Sequence, residues 1–249
     1  MTTIHRRDTP SHRRREAQQT DWTPERLGLE PGRYEAVLNY LFDRPVPQGQ
    51  QQEWYWDDDL EVFVATSLEW TRFQAAIFAN AATDLAAFSD EQVGMGLNYL
   101  MSNSVSDVPY AAINETVPLD EAMRMMRAMP LLWRGCIGPR LVSDRSAIGF
   151  IEGRLGYVCH MWFDVWPTYT NVSNIPAWTD ALWHVLSDML RVPCRAVQIG
   201  ALHGIGHEGG NLDRWPEINA AVDAFLRGLP EGDEELRNYA EAARTGNVQ

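Results

Sequence analysis

Two histidines stand four residues apart in the C-terminal half of the chain, His203 and His207. On an α-helix this spacing places both imidazoles on one face, where they can share a metal ion. A third ligand is available in Glu208, His160 or Asp164. The segment lacks the glutamate of an H-E-x-x-H motif, which would supply a general base. We therefore expect a structural pair held by neighbouring carbonyls or carboxylates, without a cofactor, and keep a site for a divalent metal as the alternative.

A run of three aromatic residues followed by three aspartates is the second candidate site. Aromatic side chains anchor protein interfaces, and carboxylates beside them attract a basic partner. In the other interpretation, the aromatic rings pack in the core and the aspartates form the first turn of the next helix. The candidate binding residues are Trp54, Tyr55, Trp56, Asp57, Asp58 and Asp59.

A third grouping, Asp180, His184 and Asp188, repeats every four residues and favours a solvated helix face with local ion pairing.

Cys159 and His160 are adjacent, so on a helix they point about 100° apart and cannot form a catalytic dyad with each other. The sequence contains no G-x-S-x-G, P-loop, dinucleotide-binding or H-E-x-x-H pattern. No enzyme class is predicted from a motif.

Charge is distributed unevenly along the 249 residues, whose formal net charge is −13. Residues 1–16 hold five arginines against two carboxylates, a net charge of +3, so the rest of the chain carries −16. An acidic body lacks the basic face that nucleic acids or anionic membrane surfaces require. All 21 basic residues are arginine, which is typical of a GC-rich bacterial genome and leaves no lysine nucleophile.

Cysteine usage favours a reducing compartment. The three cysteines are widely spaced and form no CxxC motif or disulfide framework. The N-terminus is basic and polar without the apolar segment of a secretory signal, and no run approaches the roughly 18 apolar residues of a membrane span. We expect a cytoplasmic protein.

Helical periodicity organises the chain from residue 23 onward, with no convincing strand or hairpin signal. Ser89 and Gln92 form a capping box, and Pro118 opens a Met-rich helix. Residues 194–206 are apolar on every side, which predicts a buried helix. Glycines towards its end indicate either a helix terminus or tight packing. The predicted helices cover residues 34–42, 60–88, 89–100, 118–129, 176–191, 194–206, 218–226 and 236–243, with a broken segment at 139–156.

The segment CRAVQIGALHGIGH at residues 194–207 resembles the inner helix of HEAT-like repeats. Over roughly residues 90–249 the chain is similar to a bacterial all-helical family without an established activity. That family carries an ALHG-x-GH motif and a closing YA-x-x-A-x-x-G, here Ala201 to His207 and then Tyr239, Ala240, Ala243 and Gly246. The HEAT-like resemblance implies a scaffold that binds other proteins, although a repeat of about 40 residues is not visible.

These observations predict an all-α protein, either a HEAT-like α-solenoid or a compact array of about nine to ten helices. An Arg-rich arm, residues 1–22, precedes a single domain at 23–249. It is either a solvated terminus or a segment that docks on an acidic surface, its own or a partner's, and supports homo-oligomers. The expected function is protein–protein interaction, as an acidic adaptor or immunity-like inhibitor of a basic partner, without nucleic acid or membrane. The alternative is a metal-dependent enzyme centred on His203 and His207.

Overall fold

The computed structural model describes residues 21–49, 51–144, 147–149 and 152–248. These residues form ten α-helices and no strand, which confirms the predicted all-α class. Most of the predicted Arg-rich arm, residues 1–20, lies outside the described residues. The helices are α1 (Pro31–Phe42), α2 (Ser67–Asp84), α3 (Asp90–Met101), α4 (Leu119–Leu132), α5 (Gly138–Leu141), α6 (Gly153–Val165), α7 (Pro176–Met189), α8 (Arg195–Leu212), α9 (Trp215–Gly228) and α10 (Glu234–Ala243).

Capping residues set where two of these helices begin. The capping box predicted at Ser89 is confirmed at the start of α3. The prediction of a helix from Leu60 is wrong, because α2 begins only at Ser67. There the Thr66 hydroxyl accepts a hydrogen bond from the Glu69 N–H, and the Glu69 carboxylate accepts one from the Thr66 N–H. This reciprocal cap fixes the start of α2 at Ser67. The residues before Thr66 are therefore not helical, although their apolar residues have helical spacing.

The predicted burial of α8 is confirmed along most of its length. It contacts α5, α6, α7, α9 and α10, so it is the central helix of the C-terminal half. Two glycines allow this close packing. A β-carbon on Gly204 would lie 2.8 Å from carbon atoms of Phe163 and Leu186, and one on Gly200 would overlap the carbonyl oxygen of Cys159. The glycines therefore mark tight packing inside the helix rather than its end.

Helix α6 joins this central helix to the N-terminal half of the molecule. Its buried Trp162 makes edge-to-face contacts with Phe78 of α2, at 5.8 Å between ring centroids, and with Trp133, at 5.5 Å. Helix α6 also packs against α3, while α2 packs against α4. Large aromatic rings thus hold α6 from one side, and the glycines of α8 receive it on the other.

We predict opposite stability changes for two identical substitutions on α8. Gly200→Ala forces a methyl group against backbone atoms of α6, so it should lower the free energy of unfolding by about 1–3 kcal/mol. Gly210→Ala meets no atom of the described residues within 4 Å and should raise the free energy of unfolding by up to about 1 kcal/mol through helix propensity. Urea denaturation of both variants measures the difference, and equal stabilities would contradict the close approach of α6 and α8.

Candidate functional site

Helices α6 and α8 bring together a carboxylate and two histidines, Asp164, His203 and His207. One ligand atom of each residue lies within 4.8 Å of the ligand atoms of the other two. The imidazole Nε2 of His207 is 3.9 Å from Oδ1 of Asp164, and the ring centroids of the two histidines are 4.4 Å apart. Of the three candidate third ligands in the sequence, the structure places Asp164 in this cluster.

His203 is the buried member of the cluster, with 3% of its surface exposed. Its Nδ1 lies 2.8 Å from the hydroxyl of Tyr239 on α10. Its Nε2 is buried and has no hydrogen-bond partner among the residues that the structure describes. Burial raises the pKa of Tyr239 to about 12, so the phenol keeps its proton at neutral pH. When the His203 Nδ1–H donates to Tyr239, Nε2 carries a free lone pair. Metal-binding histidines are commonly oriented by a second hydrogen bond of this kind.

The surroundings keep the imidazoles of His203 and His160 neutral. Burial lowers the pKa of His203 to about 3, and the nearby imidazoles of His160 and His207 add to this effect because their positive charges would repel one another. Burial also lowers the pKa of His160, with partial opposition from the Asp164 carboxylate. Neutral imidazole is the form that binds a metal ion, so the site is electrostatically prepared for a cation.

The other two candidate ligands have different positions. The ring of His160 lies against the ring of His203, at 4.3 Å between centroids and an angle of 32°, but it is not part of the three-residue cluster. Glu208 is buried and accepts a hydrogen bond of 3.0 Å from the amide of Asn211, and burial raises the pKa of its carboxyl group. His160 is thus adjacent to the cluster, whereas Glu208 is engaged by a residue of its own helix.

The cluster is closed on one side and open on the other. The side chains of Asp164 and His207 are each 36% exposed, in contrast to the buried His203. Catalytic zinc sites combine three protein ligands with a fourth position that water or substrate can reach. Two imidazoles and one carboxylate at the edge of the protein fit that description.

The six residues of the aromatic–acidic run have divided roles. Trp54 is buried and stacks on Tyr99, at 5.1 Å between ring centroids. Trp56 is 47% exposed, and the three aspartates that follow are also exposed. These aspartates precede an extended segment, so the interpretation that they form the first turn of a helix is wrong. Only part of the run is available for recognition.

Two polar residues of α7 form ion pairs, but with arginines distant in the sequence rather than locally along a solvated face, and Asp188 is buried. Arg134 holds Asp188 through two hydrogen bonds of 2.7 and 2.8 Å, and Arg214 pairs with Asp180. His184 is exposed. The bidentate Arg134–Asp188 pair connects α7 to the segment after α4, so the role of this grouping is structural.

Comparisons of the chain with protein-family models, with curated proteins and with solved structures find no match in any of the three. Among the residues that the structure describes, every helix is too short or too polar to cross a lipid bilayer. The function must therefore be inferred from the geometry of the side chains.

The lowered pKa of His203 predicts a pH dependence of stability in the metal-free protein. Between the unfolded pKa of 6.5 and the folded value of about 3, the unfolded state binds more protons, so stability falls as the pH is lowered. This contribution is at most about 1.4 kcal/mol per pH unit. Urea denaturation in the presence of EDTA, from about pH 7 to about pH 5, should give a steeper loss for wild type than for His203→Gln. Equal slopes would show that His203 is not buried in its neutral form.

Proposed function

We propose that this protein is a metal-dependent enzyme that binds one divalent transition-metal ion through Asp164, His203 and His207. The observation that carries the proposal is the convergence of one ligand atom from each of these three residues within 4.8 Å. The buried Nε2 of His203, which has no hydrogen-bond partner among the described residues, supports it. Ligand atoms around tetrahedral zinc are roughly 3.4 Å apart, given bonds of about 2.1 Å. Small side-chain rotations of the exposed Asp164 and His207 would bring the cluster to that spacing.

The ligand set indicates the kind of metal. Neutral imidazoles suit zinc, iron, copper and nickel, whereas calcium and magnesium prefer oxygen ligands. A single carboxylate leaves the complex with a divalent ion positively charged, which favours binding of an anionic or polarised group at the open position. Zinc fits two imidazoles, one carboxylate and a water molecule without further protein ligands.

Hydrolysis is the reaction class that we assign to the site. A bound zinc ion supplies Lewis acidity, and in other enzymes it lowers the pKa of a coordinated water to about 7. His160 lies against His203 and is held neutral by burial, so it can accept a proton beside the cluster. The hydroxyl of Tyr239 orients the His203 ring through its hydrogen bond with Nδ1 and takes no direct part in the reaction.

Metal titration of EDTA-treated protein tests the binding step. We expect one equivalent of zinc by calorimetry and a stability gain of about 2.7 kcal/mol at a free zinc concentration of 100 times Kd. His207→Ala and Asp164→Asn should each weaken binding by more than about 100-fold, beyond the loss usual for supporting residues. His184→Ala removes an exposed histidine outside the cluster and is the matched control. Unchanged affinity in His207→Ala, or no stoichiometric binding, would refute the site.

Hydrolysis of an activated ester and of an activated phosphodiester tests the catalytic step separately. The zinc-loaded protein should cleave at least one of them, and Asp164→Asn should lose this activity together with zinc. His160→Gln should retain zinc while kcat falls by about 100-fold or more, because a general base is lost. If zinc binds as predicted but wild type is no faster than Asp164→Asn on either substrate, the protein binds metal without the proposed activity.

A further inference from the structure

A groove of about 860 Å³ runs between the extended segment before α2 and the loop that follows α3. Its lining combines aromatic rings, exposed aliphatic side chains and carboxylates, and it draws on neither α6 nor α8. It is therefore separate from the proposed metal site. The aromatic rings that line it are those of Tyr55, Phe63, Trp70, Tyr99 and Tyr110.

Three carboxylates that line this groove have no counter-charge among the described residues. Asp57, Asp58 and Asp107 make no ion pair within the described parts of the chain, and no arginine or histidine is among the lining residues. The contrast with the rest of the surface is clear, since most arginines of the helices hold a carboxylate, as Arg154 does with Glu53 and Glu91. The groove therefore attracts positive charge.

One wall of the groove is the segment at residues 61–66, which has no regular secondary structure and no strand partner among the described residues. Within the described chain, the N–H groups of residues 61–65 make no hydrogen bond, and the carbonyl group of Val64 accepts one from Arg33. Val62 is 59% exposed and Val64 is 82% exposed, while Phe63 between them packs inward. Alternating side chains and free backbone groups of this kind can pair with an added peptide strand.

We propose that this groove binds an extended basic peptide segment of a protein partner. The peptide backbone would pair with residues 61–65, and its arginine or lysine side chains would reach Asp57, Asp58 and Asp107. Arginine in particular stacks on aromatic faces, and the groove supplies an exposed one in Tyr110. This inference specifies the basic partner that the charge of the chain led us to expect as an extended peptide segment. It does not depend on metal binding.

The probe for this proposal is a labelled hexapeptide of alternating arginine and valine, with capped ends, added to the full-length protein. Fluorescence anisotropy should show binding that weakens between about 20 and about 150 mM NaCl, since salt screens the rim charges. Asp58→Asn combined with Asp107→Asn should weaken binding about tenfold or more. The control pair, Glu231→Gln with Glu115→Gln, removes the same charge from exposed residues that do not line the groove and should change Kd by less than about twofold. An N-methylated version of the peptide should bind at least about tenfold more weakly, because it cannot pair along the edge.

Four results would overturn the proposal. The first two are equal binding of a glutamate–valine hexapeptide and equal weakening in the control pair, which would indicate non-specific attraction. A dimer that dissociates in the Asp58→Asn, Asp107→Asn variant would show that a second copy occupies the groove. Tighter probe binding after Arg13, Arg14 and Arg15 are replaced by glutamine would identify the occupant as the chain's own N-terminal segment.

Discussion

The close approach of α6 and α8 is the constraint on which the C-terminal half of the structure depends. Gly200 and Gly204 expose the backbone of α8, so the carbonyl of Cys159 and the ring of Phe163 can lie directly against it. Any larger residue at Gly200 would separate the two helices. Since Asp164 lies on one helix and His203 on the other, the spacing of the two backbones determines whether their side chains meet. Packing in the core thereby determines the geometry at the surface.

Burial then determines the chemical state of the site. Surrounded by apolar side chains and other imidazoles, His203 is far less stable as a cation, and this is why its pKa falls to about 3. Its unpartnered Nε2 is unfavourable for folding by itself, because a buried polar atom has lost its hydrogen bond to water. A bound cation would remove that penalty, so occupancy of the site would also stabilise the fold. A cation would reach the site from the solvent side, where Asp164 and His207 are partly exposed.

The two proposed sites lie in different parts of the molecule and depend on different kinds of interaction. The cluster between α6 and α8 depends on one buried imidazole and a rigid helix pair, whereas the groove near α2 combines unpaired carboxylates with an extended edge. Arginine–carboxylate pairs elsewhere neutralise much of the acidic surface, so the strong net charge of the chain is concentrated where it is not paired. Asp57, Asp58 and Asp107, which have no arginine partner among the described residues, line the groove together.

Local interactions made much of this protein predictable from its sequence. Helices depend on contacts three and four residues apart, so periodicity located α1, α4, α7 and α8, and a capping box located α3. The same spacing placed His203 and His207 on one face. The segment before α2 was predicted to be helical because its apolar residues have helical spacing. The prediction overlooked the capping box of Thr66 and Glu69, which marks where α2 begins.

Contacts between residues distant in the sequence were decided only by the tertiary structure. It selected Asp164 over Glu208 as the third member of the cluster and brought Tyr239 of α10 to His203. It also buried Trp54 against Tyr99 while leaving the aspartates after it exposed. Helical spacing states which face a side chain occupies, but not which other helix that face meets. That choice comes from the packing of the whole chain, in which small residues such as Gly200 determine which backbones can approach.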